Sequence, residues 1–226
     1  MSRAAILYEE AVHIPAYVVD LTSFRRWAHS DEFPEYGKIT FVKGEIIIDM
    51  SPEEITSHAK VRRDVQYFLG KLLESNDIGE LLPDGTMFVN EEADVSNEPD
   101  LLFCSWDSLR SGRVQYKERT VGSGRLMEVV GSPDMVMEVV SRSSVRKDTR
   151  ILRASYFKAG VQEYWLIDAR EDEIDFQILV RGENDFEPVQ PDDSGYCQSP
   201  VFGCRFLLSR SRNPVGGYRY QLDCST

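Results

Sequence analysis

Apolar residues recur at three- and four-residue steps through Ile55, Val61, Val65, Phe68, Leu69, Leu72 and Leu73. That stripe predicts an amphipathic helix running to about Glu74. Ser51-Pro52-Glu53-Glu54 supplies its opening signals: Ser51 as cap, Pro52 at the first helical position and Glu54 to close a capping box. Upstream, Leu21 to His29 has the pattern of a short helix, with Thr22 or Ser23 available as a cap. Ile39 to Val42 and Glu45 to Met50 are apolar runs separated only by Lys43-Gly44, which predicts a tight hairpin. Past Leu81 the pattern shortens into strands over Thr86 to Asn90, Asp100 to Cys104 and Asp134 to Ser141. A second helix is predicted from about Val145 to Ala159, closed by Gly160, where a left-handed cap is wanted. Strands over Val161 to Asp168 and Glu173 to Val180 follow. Residues 105–130 are mixed and polar, and predict a long connection. Residues 181–226 predict β-rich edge structure or a loosely packed tail.

Helix, hairpin, long helix, strands, helix, strand and hairpin in that order predict an α/β sheet with helices on its faces. No internal repeat or low-complexity linker divides the 226 residues, so one domain is expected over 1–226. Lys and Arg number 26 against 38 Asp and Glu, a formal charge of −12. A general polyanion-binding surface is therefore not expected, and any nucleic-acid contact must come from a local basic patch. No apolar run is long enough to span a bilayer. Glu9 and Glu10 interrupt the stretch from Met1 to Asp20 before a signal segment can build. Cys104, Cys197, Cys204 and Cys224 show no C-x-x-C spacing, and read as reduced, buried thiols of a cytoplasmic protein. His13, His29 and His58 are spaced apart from one another and from the cysteines, which argues against zinc.

Two Pro-Asp pairs open apolar strands, at Pro99-Asp100-Leu101-Leu102-Phe103 and at Pro133-Asp134-Met135-Val136-Met137-Glu138-Val139-Val140-Ser141. Alternation puts Asp134, Val136, Glu138 and Val140 on one face of the second strand. A carboxylate inside such a strand costs several kcal/mol unless it is paired, hydrogen-bonded or bound to a cation. Asp134 and Glu138 share a face but lie about 13 Å apart, too far to hold one ion together. A neighbouring strand is only about 4.8 Å away, and Asp100 is the obvious second carboxylate. Such a pair suits Mg²⁺ or Mn²⁺. A capping Asp100 and a salt-bridged Glu138 account for the same residues without a metal.

These two segments, with Gly160-Val161-Gln162-Glu163-Tyr164-Trp165-Leu166-Ile167-Asp168, resemble the Uma-type family of putative restriction endonucleases within the PD-(D/E)XK nuclease superfamily. The resemblance runs from about Leu21 to Phe206. It implies a restriction-endonuclease-like α/β fold with a central mixed β-sheet flanked by helices, a cytoplasmic protein, and Mg²⁺-dependent hydrolysis of DNA phosphodiester bonds. Asp100 and Glu138 match the active-site carboxylates, which would hold the Mg²⁺ or Mn²⁺. In the superfamily a lysine commonly sits two residues after the glutamate, where this chain has Val140. Members of the family often place it instead four residues beyond the position of Asp148, where this chain has Leu152. Lys147, at the start of the following helix, is the remaining candidate for that catalytic cation.

Arg142, Arg146, Lys147, Arg150 and Arg153 stand against a single acid, Asp148, over residues 142–153. The cluster is either a phosphate contact, through Arg142, Arg146, Lys147 and Arg150, or a solvated helix face. His58 lies on the apolar stripe of its helix and reads as a core or site-lining histidine. Glu45 reads as an exposed hairpin residue, and Tyr164 and Trp165 as core aromatics. Gly122-Ser123-Gly124 matches neither a P-loop nor a dinucleotide fingerprint. The expected function is a metal-dependent DNA endonuclease, as a homodimer if both strands of a duplex are cut. Its rival is an inactive nuclease fold that binds nucleic acid or a protein partner.

Overall fold

The computed structural model describes residues 12–119 and 122–225. Glu9 and Glu10, on which the expectation about a signal segment rests, lie outside the described residues. Helix α1 (Leu21–Ala28) buries Leu21, Phe24 and Trp27. It is capped by Asp20, two residues before Thr22 and three before Ser23, the expected caps; Asp20 accepts from the Ser23 amide at 2.7 Å. The hairpin of β1 (Lys38–Val42) and β2 (Glu45–Asp49) turns as predicted at Lys43 and Gly44. Both turn residues have positive φ, +50° and +79°, the conformation that matches the twist of the two strands.

The long helix departs from expectation at its start. Ser51 to Glu54 are not helical; a π-helical segment covers Ile55–Ala59, and α2 (Lys60–Asn76) follows. Glu54 is the cap, with its carboxylate accepting from the Ser57 amide. Charge at the first turn thus does what Ser51 was expected to do. Val61, Val65, Leu69 and Leu73 form the buried stripe.

Next come β3 (Gly79–Pro83), β4 (Met87–Asn90), β5 (Val95–Asn97) and β6 (Leu101–Ser105). The expected connection over 105–130 is instead structured, as helix α3 (Trp106–Ser111), β7 (Val114–Glu118) and β8 (Leu126–Gly131). Strand β9 (Met135–Val139) leads to a second π-helical segment, Lys147–Leu152, and to α4 (Arg153–Lys158). Gly160 closes that helix with φ +81°, and a Cβ there would come within 2.9 Å of Ser132 Oγ. Then follow β10 (Glu163–Asp168), β11 (Asp175–Arg181), β12 (Phe186–Pro188), β13 (Cys197–Ser199), β14 (Cys204–Arg212) and β15 (Tyr218–Ser225).

The central mixed sheet has the order β12-β11-β10-β9-β6-β3. Its β9–β10 pair is parallel and its β6–β9 pair antiparallel. One face carries Leu101, Phe103, Met135, Met137 and Trp165 against α2 and against the three-stranded sheet β13-β14-β15. The other carries Leu102, Val136, Val140 and Tyr164 against Tyr156 of α4 and Phe88 and Val95 of a second sheet. That second sheet, of order β2-β1-β5-β4-β8-β7, is an addition to the expected architecture. The carboxy-terminal residues are packed rather than loose: Phe202, Phe206, Leu208, Tyr220 and Leu222 are all buried. Cys104, Cys197 and Cys204 are buried as expected, whereas Cys224 is exposed at the end of the edge strand β15. Among the described residues no helix is long and apolar enough to cross a membrane.

Candidate active site

Strand register brings the two predicted carboxylates together. Leu101 faces Met137 and Leu102 faces Val136 across the β6–β9 pair. One step further along the same register sets Asp100 opposite Glu138. Both belong to the sheet face that looks toward the second sheet, as alternation from Val136 and Val140 predicts. Asp100 is anchored by its neighbour strand, accepting from the Val139 amide at 2.7 Å. The two line a cleft of about 310 Å³ together with Lys38, His58, Lys147 and Asp148. Asp134 stays apart, at the other end of β9. It accepts from the Ser105 amide and the Ser108 hydroxyl and pairs with Arg113.

Three chain segments deliver the rest of the cleft. Lys38 opens β1 and places Nζ 2.6 Å from Asp100 Oδ1 and 3.0 Å from Asp84 Oδ1. His58 comes from the first π-helical segment, its Nε2 3.4 Å from Asp100 Oδ2. Lys147 and Asp148 come from the second, with Nζ 3.5 Å from Asp148 Oδ1. Both wide turns thus carry cleft residues, a placement common for π-helical turns. Arg62 of α2 adds a guanidinium 3.4 Å from Asp100 Oδ1 and 2.8 Å from Asp84 Oδ2. Glu138 has neutral partners: the Tyr156 hydroxyl donates to Oε1, and Asn97 Nδ2 lies 3.4 Å away while donating to Tyr156 at 2.8 Å.

These surroundings split the acids electrostatically. Burial works against the Asp100 carboxylate, but the Lys38 ammonium and His58 outweigh it and hold the group well below the usual carboxylate range. Burial pushes Glu138 up to about 8, helped by the charges of Asp100 and Asp148, and the two lysines do not cancel that push. Asp148 is raised to about 6, again chiefly by burial. Burial opposes the Lys147 ammonium, yet Glu138 and Asp148 raise it above the ordinary lysine value.

Glu138 and Asp148 are thus two cleft acids whose burial is not offset by their neighbours. Asp148 Oδ1 and Asn97 Oδ1 are buried without a hydrogen-bond donor. Among the described residues no three His, Cys, Asp or Glu side chains converge as a ready-made ligand set. Two carboxylates with open cleft beside them still suit Mg²⁺, which keeps several waters and binds through one or two carboxylates. The residues fit a hard divalent cation in that form.

The basic cluster divides. Lys147 is turned inward, its side chain only 10% exposed. Arg142, Arg146 and Arg150 are exposed, and Arg153 is tied to Asp185 and to the Phe186 carbonyl. Lys147 thus does not share the solvent-facing surface of the arginines: a residue next to Asp148 on a wide turn follows that acid into the cleft. Val140 and Leu152, the two positions at which the resemblance led a lysine to be expected, are fully buried in the core. Lys38, Arg62 and Asp84 were not anticipated. Lys38 precedes a run whose next four residues are all buried, and a lysine heading a buried strand is the signal it offered.

A mixed central sheet with paired acids at the meeting of β6 and β9 defines a nuclease-like α/β fold. The chain belongs to the Uma2 family, described as putative restriction endonucleases, which matches residues 21–205. Among solved structures it is similar to a putative nuclease belonging to DUF820 from Anabaena variabilis. The TM-score is 0.59 at 18% identity, over 82% of this chain and 91% of that one. No curated protein matches the chain.

Proposed function

We propose that the protein is a divalent-metal-dependent endonuclease that hydrolyses DNA phosphodiester bonds, with Asp100 and Glu138 as the metal-binding carboxylates. The observation that carries this reading is Glu138: a buried strand glutamate, beside a second buried carboxylate, whose hydrogen-bond partners are neutral. Such a group is costly as an anion unless a cation joins it. An ion held there supplies a Lewis acid for the phosphate and lowers the pKa of a bound water. Asp100 is already ionised and fixed by the Val139 amide. Tyr156 and Asn97 hold Glu138 with one oxygen occupied and leave Oε2 for the cleft. Lys147 is the cleft cation nearest to Glu138 in the chain and offers its ammonium to the developing charge on phosphorus oxygens. Arg142, Arg146 and Arg150 provide exposed positive charge for flanking phosphates. A homodimer would bring two such clefts to a duplex.

Supercoiled plasmid incubated with Mg²⁺ or Mn²⁺ should be nicked or linearised, and EDTA or Glu138→Ala should abolish the cutting. Absence of cleavage with any divalent metal would favour the second reading, an inactive nuclease fold that binds nucleic acid or a protein partner. The buried apolar side chains of Val140 and Leu152 speak for that alternative.

A further inference from the structure

Asp100 has no oxygen lone pair to spare. Oδ1 takes the Lys38 ammonium at 2.6 Å and faces the Arg62 guanidinium at 3.4 Å. Oδ2 accepts from the Val139 amide at 2.7 Å and faces His58 at 3.4 Å. The amide is part of the β6–β9 junction and cannot leave without opening the sheet. Arg62 is shared with Glu53 and Asp84, at 2.7 and 2.8 Å. Lys38 is different. Its ammonium sits on a flexible stem, its side chain is 23% exposed at the cleft wall, and its second partner, Asp84, is only 3.0 Å away. Among the described residues it is the one close ligand of Asp100 that can move while keeping a carboxylate partner.

We propose that Lys38 is a built-in competitor for the metal seat. It occupies Asp100 when no ion is bound, a divalent cation displaces it, and Asp84 receives the displaced ammonium. Resting on the reading of the cleft as a metal-dependent nuclease site, this adds a second cation beside Lys147 in a cleft where Val140 and Leu152 supply none. Lys38 released from Asp100 stays at the cleft wall, where it can contact the scissile phosphate without leaving Asp84. Seated on Asp100 it also neutralises that carboxylate, so the fold tolerates a buried Asp100 before metal arrives.

The test is Mn²⁺ binding, read by calorimetry and by the electron paramagnetic resonance of the free ion. Lys38→Met removes the competitor and should tighten Mn²⁺ binding by at least about tenfold, since a unit charge a few ångströms away opposes the ion. Lys38→Arg keeps the charge and should bind Mn²⁺ within about threefold of wild type. At saturating Mn²⁺ the Lys38→Met protein should nonetheless cut plasmid more slowly, because the phosphate contact is gone. In the unaltered protein, the ¹⁵Nζ resonance of Lys38 should move on titration with Mg²⁺, a measurement that does not depend on either variant folding. Equal or weaker Mn²⁺ binding by Lys38→Met, or a stationary Lys38 resonance while Mg²⁺ binds, overturns the proposal. Undiminished cutting by Lys38→Met overturns the phosphate contact. If wild type binds Mn²⁺ and Glu138→Gln does not, the metal site stands whatever Lys38 does. If no form of the protein binds Mn²⁺, both readings fall together.

Discussion

Glu128 and Glu138 are two solvent-shielded strand glutamates with different neighbours and different depth in the fold. Each is a strand glutamate, 4% and 2% exposed respectively. Glu128, on β8, meets the Arg25 guanidinium at 2.6 Å and His29 Nε2 at 2.9 Å. Burial alone would raise it, but His29 and Arg25 outweigh burial and hold it at about 2. Glu138, on β9, is given a tyrosine and an asparagine and sits near two further acids, and it rises to about 8. One site is electrostatically finished and ties α1 to the second sheet. The other is left short of positive charge in an open cleft. Strong perturbation by burial plus specific charges in a cleft is the pattern that makes Glu138 the candidate, and the closed ion pair of Glu128 lacks the cleft.

Exchanging the two residues in turn gives the sharpest contrast. Glu138→Ala should lower plasmid cleavage by roughly a thousandfold, in line with losing a preorganised ligand of the reacting centre. Glu128→Ala should leave cleavage at saturating metal within about threefold of wild type while costing roughly 2–3 kcal/mol of stability. That lies below the range for a fully enclosed pair because the Arg25 side chain is 24% exposed. Denaturant unfolding monitored by fluorescence would measure it. If Glu128→Ala also loses catalysis with its fold intact, the division between the two sites fails.

Lys147→Ala should lower cleavage by about a hundredfold with Mn²⁺ binding retained, as expected for one electrostatic stabiliser. Equal cleavage rates in the variant and the wild type would remove Lys147 from the reaction.

The two glutamates should also respond oppositely to pH in metal-free protein. Glu128, depressed to about 2 from an ordinary 4.5, contributes stability that is present above pH 4.5 and lost as pH falls toward 2. Glu138, raised to about 8, contributes stability that is present below pH 4.5 and lost as pH rises through 8. Melting temperatures of Glu138→Gln should therefore gain on wild type between pH 5 and 8, and the advantage should shrink when Mg²⁺ is added. Those of Glu128→Gln should trail wild type at neutral pH and approach it in acid. Parallel curves would show that the neighbours do not separate the two residues.

The smallest effect concerns the rim. Reversing Arg142, Arg146 and Arg150 to glutamate should weaken DNA binding and flatten its salt dependence by about one unit of slope per lost phosphate contact. Unfolding should be nearly unaffected, since all three side chains face solvent. A salt series matching wild type would make them a solvated face.

Local pattern disclosed the parts of this molecule that depend on local pattern. Alternation along Asp134 to Val140 put Glu138 on the correct face, and the spacing of strands paired it with Asp100. The Lys43-Gly44 turn was legible because two residues between apolar runs admit few backbone solutions. Lys38 was not legible as a site residue, because its partner Asp100 is 62 residues away and on the other sheet. The strands over Val114–Glu118 and Leu126–Gly131 were missed for a related reason. Leu126 and Met127 are exposed while Val114 and Val129 are buried, so the apolar pattern there does not follow one face. The wide turns at Ile55–Ala59 and Lys147–Leu152 shift the helical phase. A regular-helix reading therefore grouped Lys147 with the arginines, and only the family resemblance singled it out as the candidate catalytic cation.

The proposal that matters most is that Asp100 and Glu138 together seat a divalent cation. Isothermal titration of Mn²⁺ into metal-free wild type and Glu138→Gln tests it without reference to any substrate. Wild type should show saturable binding with proton release near pH 7, since Glu138 must ionise, and Glu138→Gln should lose that binding. Equal Mn²⁺ affinity in the two proteins would contradict it.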